Sequence, residues 1–228
     1  ERILGSKLVA LPTPDGRLQP EQLAATCARR GDEHAVQPTV LSVTQSTEYG
    51  TVYTAEHAAR LAAEARRLGM YIHIDGARLA NAAVALGCGL GEVAEMFDAD
   101  VVSVGGTKNG LMGAEAVVFR NPALAEQAKW VRKATTQLIS KHRYLAAQFI
   151  AMLSDDLWRR NAENANAMAR RLAAGLADAG VHITQPVEVN AVFATMTDPQ
   201  VLQEQFHFYP WEGPDEVRLM CSWDTTAA

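Results

Sequence analysis

Through the first half of the chain, short apolar runs rich in β-branched residues alternate with helical patterns, and that alternation restricts the fold to the α/β class. An amphipathic "PEQLAATCARR" (20–30) leads to a strand-like "PTVLSV" (38–43). Next comes "TAEHAARLAAEARRLG" (54–69), with a helix start at Thr54 and a stop at Gly69. Strand "MYIHID" (70–75), helix "ARLANAAVALG" (77–87) and strand "DVVSV" (100–104) follow, and "EAVVF" (115–119) comes only a turn later, so it is expected beside the strand before it. From Asn121 to about Gly180 the pattern is almost wholly helical, with a break expected near 152–158. The last segment reads as short strands around one helix at about 198–207. The expected organisation is a mostly parallel sheet domain over residues 1–125, followed by connecting helices and a small α+β domain over 126–228.

Composition removes several function classes. The chain of 228 residues carries 21 Lys and Arg against 26 Asp and Glu, with no basic stripe, so no nucleic-acid partner is expected. No apolar run is long enough to span a bilayer and no secretory h-region opens the chain, so no membrane partner is expected either. Three widely spaced cysteines, Cys27, Cys88 and Cys221, form no CxxC pair and fit reduced thiols of a soluble cytoplasmic protein. The chain starts at Glu1 without a methionine and stops soon after a strand-like run, which reads as a fragment.

Chemistry concentrates where two strands end, because ligands of open α/β sheets sit outside the carboxyl ends of the strands. "YIHID" ends at Asp75, directly before Gly76 and a helix, and "DVVSV" runs into Gly105, Gly106, Thr107 and Lys108. Asp75 and Lys108 lie 33 residues apart, enough for a crossover helix and a return to the sheet. Taken singly, an aspartate at such a junction is an ordinary helix cap and a lysine after two glycines an ordinary solvated turn residue. "GGTKNG" is no phosphate loop, since it lacks GxxxxGK[ST]. His73 shares a strand face with Asp75 and fits a core histidine.

The combination says more than its parts. A pyridoxal phosphate enzyme needs a lysine for the Schiff base with the aldehyde and an acid to keep the pyridinium nitrogen protonated. An arginine that grips a substrate carboxylate with two parallel hydrogen bonds is the usual third part. Arg78 stands at the start of the helix after Asp75, where a cation gains nothing from the helix dipole. Arg218 lies in the alternating "EVRLMCSW", where an exposed strand residue is the alternative.

"HIDGARLANAAVALG" (73–87) together with "SVGGTKNG" (103–110) resembles the L-threonine aldolase family, within the aromatic amino acid β-eliminating lyases and threonine aldolases. "QPTVLSVTQSTEYGTVY" (37–53), "VRKATTQLISKHRYLAAQF" (131–149) and "VRLMCSWDTT" (217–226) extend the likeness over nearly the whole chain. The resemblance implies the aspartate-aminotransferase-type fold of pyridoxal phosphate enzymes and retro-aldol cleavage of L-threonine or L-allo-threonine to glycine and an aldehyde. It implies Lys108 as the Schiff-base lysine and Asp75 as the partner of the pyridinium nitrogen. It also implies Arg78 at the cofactor's phenolic oxygen or the substrate carboxylate, and Arg218 at that carboxylate. Ser103 and Thr107 are implied as lesser contacts to phosphate or ring oxygens, and Gly105 and Gly106 as room for the cofactor. No metal is implied; a homodimer or homotetramer with an amino acid as its small-molecule substrate is. The family's N-terminal portion, with its phosphate-binding turn and ring-stacking histidine, is expected upstream of these residues. The alternatives are another enzyme of the same fold, such as a β-eliminating lyase or racemase, or a non-catalytic binding module.

Overall fold

A computed structural model describes residues 1–227, with Tyr209 described by its backbone alone. The first layer is a sheet of β1 (Val40–Thr44), β2 (Tyr71–Gly76), β3 (Val101–Gly105) and β4 (Glu115–Phe119), in that spatial order. The first three strands are parallel, and β4 closes the edge antiparallel to β3. Before and between them run α1 (Pro20–Thr26), α2 (Ala55–Arg67), α3 (Leu79–Leu86) and α4 (Leu90–Met96). Alternate strand residues Leu41, Val43, Ile72, Ile74 and Val102 are buried in one core with Leu23, Leu61 and Leu79 from these helices and Phe97 just after α4. The other sheet face carries Val40, Ser42, Tyr71, His73, Asp75, Ser103 and Val117, and of these Val40, Tyr71 and Val117 are exposed apolar residues.

Local chemistry sets the element ends. Thr54 caps α2 by accepting a hydrogen bond from the His57 amide at 3.2 Å, and Gly69 takes φ 64° just past that helix. At the amino end of the sheet, Asp100 accepts from Arg66 Nη1 at 2.7 Å and the Ile72 amide at 2.8 Å, and from Asn121 Nδ2 at 3.1 Å. One buried carboxylate thus joins α2, β2 and the end of β4. Burial works to raise its pKa, but these donors outweigh burial and hold it below the usual carboxylate range.

The helical stretch is less continuous than its composition implies. It divides into α5 (Ala128–Ala134), α6 (Arg143–Leu153) and α7 (Leu157–Asp178), with a non-helical segment at 135–142 and a break at 154–156. Helix α7 buries a stripe of Trp158, Ala162, Ala165, Asn166 and Ala169, spaced for one helical face. Its contacts are α3 on one side and, on the other, a small antiparallel sheet. That sheet has the order β5 (His182–Ile183), β6 (Ala191–Thr195), β8 (Glu216–Met220), β7 (Tyr209–Pro210), with the short α8 (Gln200–Gln203) before β7. Because α3 is covered by the large sheet and by α7, its run of alanines is buried nearly all round. Asn81 and Asn166 exchange two 3.0 Å hydrogen bonds across that α3–α7 contact.

Candidate active site

The strand register sets Thr44, the last residue of β1, beside Asp75 near the end of β2, and Asp75 beside Ser103, two residues before the end of β3. Asp75 Oδ1 accepts from the Ala77 amide at 2.9 Å, which turns the chain into α3 and leaves Oδ2 without a partner among the described residues. Behind Asp75, His73 bridges Ser42 Oγ at 2.9 Å and Ser103 Oγ at 3.0 Å through its two ring nitrogens. Burial pushes the His73 pKa down despite the Asp75 charge, which favours the neutral ring.

From Gly105 the chain enters a tight turn. A β-carbon on Gly105 would lie 2.6 Å from Ala77 Cα, and one on Gly106 would lie 2.3 Å from Leu111 Cδ1 and 2.7 Å from the Ala114 carbonyl. Both glycines therefore let the chain pass close to itself, which is a different requirement from space for a cofactor. The turn presents Lys108 in a short 3-10 segment, Thr107–Asn109, where its side chain is exposed and no ion pair holds it among the described residues. Asn109 anchors the segment from below. Its Nδ2 donates to the Trp158 carbonyl at 3.0 Å, and its own carbonyl accepts from Asn161 Nδ2 at 2.9 Å. Thr107 Oγ1 donates to Glu115 at 2.8 Å.

The two arginines reach one place from α3 and from the small sheet. Arg78 caps the start of α3, Arg218 lies on β8, and each side chain is only 6% exposed. They meet on the carboxylate of Glu48: Arg78 Nη1 to Oε1 at 2.9 Å, Arg78 Nη2 to Oε2 at 3.3 Å, and Arg218 Nη2 to Oε2 at 3.0 Å. Burial works to raise the Glu48 pKa, but the hydrogen bonds from Arg78 and the charges of Arg78, Arg218 and Lys108 prevail and hold it low. Trp211 flanks Arg218, with the guanidinium 4.9 Å from its ring centroid, and Phe193 lies at 6.0 Å. Arg78 Nε is buried with no hydrogen-bond partner among the described residues.

A family model, Beta-eliminating lyase, matches residues 1–199. The chain belongs to the beta-eliminating lyase family. Among curated relatives, the low specificity L-threonine aldolase of Pseudomonas aeruginosa is 41% identical over 97% of this chain, and that of a Pseudomonas sp. is 39% identical over 98%. This chain spans 65% and 66% of those two proteins, just under two thirds of their length. A solved Leishmania major threonine aldolase structure superposes with a TM-score of 0.92 at 30% identity, covering 99% of this chain and 68% of that one. The fold is therefore the α/β fold of that structure, the aspartate-aminotransferase type that the family resemblance implies.

Within that family fold, Asp75, Ser103 and the turn bearing Lys108 gather at one end of the sheet, and Arg78 and Arg218 gather on Glu48. Sequence reading passes over Glu48. The signal was its position, since it sits in the loop that leaves the carboxyl end of β1, beside the ends of β2 and β3. That loop is firmly held. Gln45 exchanges hydrogen bonds with the Tyr53 backbone, Thr47 and Thr51 join at 2.8 Å, and Gly50 at φ 75° packs against Ala191 with no space for a β-carbon.

Proposed function

We propose that the chain serves pyridoxal phosphate-dependent cleavage of L-threonine or L-allo-threonine, or related β-hydroxy-α-amino acids, to glycine and an aldehyde. The observation that carries this reading is the meeting of two buried arginines on a carboxylate beside the strand ends that bear Asp75 and Lys108. The names of the Pseudomonas and Leishmania proteins point the same way.

The residues fit the cofactor. Lys108 has an exposed amine for the aldehyde carbon, and among the described residues Asp75 has an unpartnered oxygen for the ring nitrogen and Arg78 a buried Nε–H without an acceptor. Pyridoxal phosphate bound there supplies a sink for the electron pair released as Cα–Cβ breaks. Asp75 would pair with the ring nitrogen and favour its protonated form. Arg218 and Arg78 hold the substrate α-carboxylate, and that grip fixes rotation about Cα, which decides which bond is cleaved. Trp211 limits the directions open to Arg218. Ser103 and Thr107 are lesser cofactor contacts in this reading, because their hydroxyls already bond His73 and Glu115.

Two further readings accompany the proposal. Exposed Trp130, Val131, Tyr144 and Ile150 on α5 and α6 support a homodimer or homotetramer. The three cysteines are free, which supports a reducing, cytoplasmic setting, and among the described residues no helix is long and apolar enough to cross a membrane.

Borohydride reduction of the chain with pyridoxal phosphate tests the cofactor, with peptide mass spectrometry locating the pyridoxyl group. The expected result is stoichiometric label on Lys108, followed by aldehyde release from L-threonine or L-allo-threonine. A folded protein without label on Lys108 would overturn the reading. Label without aldehyde release would assign the chain to another reaction on the same scaffold, such as β-elimination or racemisation.

A further inference from the structure

Two guanidinium groups as deeply buried as those of Arg78 and Arg218 are costly without a counter-anion, since each has given up most of its hydration. In this structure the anion belongs to the protein. Glu48 reaches both arginines while half of its own side chain stays open to solvent, at 50% exposure. Its backbone is fixed by the loop's tethers, but the side chain can swing outward without disturbing them. Three cations, Arg78, Arg218 and Lys108, act on this single carboxylate, so the place retains attraction for a second one.

We propose that Glu48 is an internal stand-in for the substrate α-carboxylate, holding Arg218 and Arg78 in the ligand-free site and yielding them when an amino acid arrives. The inference rests on the proposed function for the identity of the incoming carboxylate. The exchange makes Glu48 a specificity residue. A ligand with a carboxylate replaces the ion pairs it disrupts, whereas an amine lacking one would leave the two buried guanidinium charges without a carboxylate counter-anion. The loop bearing Glu48 also contacts both domains, through Gln45 to the end of β2 and through Gly50 to Ala191 on β6, so the exchange occurs at the seam between them.

The test compares glycine and ethylamine as probes on the parent chain, Glu48→Gln and Glu48→Asp, reading the rise in melting temperature with probe concentration. Glu48→Gln removes the internal competitor and should bind glycine about fivefold more tightly, the scale of one half-exposed ion pair. Ethylamine should show no such gain, and Glu48→Asp, too short to span both arginines, should fall between parent and Glu48→Gln. If Glu48 merely props the arginines, glycine binding is unchanged or weaker in both variants, and that result overturns the proposal. Both variants would have to retain a cooperative melting transition, and Glu48→Asp, which keeps the charge, provides the comparison should Glu48→Gln melt without one. Pyridoxyl labelling of Lys108 is measured separately in each protein. Its failure would count against the proposed reaction alone, while the glycine comparison still decides the role of Glu48.

Discussion

Replacing Gly105 with alanine probes the contact that joins the Asp75 turn to the Lys108 turn. The added β-carbon would lie 2.6 Å from Ala77 Cα, 2.9 Å from its carbonyl oxygen and 3.0 Å from its carbonyl carbon, all backbone atoms that cannot rotate away. Relief requires one segment to move by roughly 1 Å, a displacement that can cost about a hundredfold when it falls on reacting groups. Overpacking of this kind destabilises by about 1–3 kcal/mol. At a mid-range cost of ~2 kcal/mol the melting temperature of a chain this size falls by roughly 4–8 °C. Gly175→Ala is the matched control. It lies in the exposed interior of α7 with nothing within 4 Å of the new methyl, and it should stabilise by about 0.5–1 kcal/mol. The assay is thermal melting of both variants, with borohydride labelling of Lys108 as a second readout that should fall in Gly105→Ala alone. Gly105→Ala with parental melting and parental labelling would refute the reasoning, because it would mean the two turns are not in rigid contact.

Other perturbations have equally definite outcomes. Asp100→Asn removes the charged acceptor shared by Arg66, Ile72 and Asn121 and should cost on the order of 2 kcal/mol near neutral pH in a denaturant titration. Because the folded Asp100 pKa is depressed, its contribution is complete above the unfolded value of about 3.9 and is lost as pH falls through the lower folded value. The stability gap between parent and variant should therefore narrow in acid, and a gap independent of pH would exclude Asp100 as its source. Trp211→Leu removes the ring against Arg218 and should weaken glycine binding by about two- to fivefold, with Lys108 labelling unchanged. Asp75→Asn should leave Lys108 labelling in place and cut turnover by about a hundredfold or more, measured as aldehyde released; full turnover would remove Asp75 from the chemistry.

Much of the large sheet and its flanking helices is legible in the sequence alone. Its strands are apolar runs and its helices carry local end signals, such as Thr54 and Gly69 around α2. Helix α4 is harder to read. Its seven residues are too few for a clear period, and its start at Gly89 depends on a hydrogen bond from the Gly89 amide to Glu92 at 2.7 Å. The non-helical 135–142 segment is hidden for a different reason. Its surroundings are rich in helix formers, yet Thr136 takes φ 63°, a conformation that composition does not announce.

What the sequence by itself determined is the set of groups presented at the strand ends. Periodicity makes β2 and β3 strands, parallel order follows from the helical crossover between them, and Asp75 and the Lys108 turn then emerge on the same side. What only the tertiary structure decided is which groups meet. Glu48 joins Arg78 and Arg218, side chains far apart along the chain, because α7 packs on α3 and also carries the small sheet that bears β8. Gly105 is glycine because Ala77 crosses it. Neither contact leaves a local pattern, since the energy of an ion pair or a close backbone crossing depends on distances that exist only once two layers have packed.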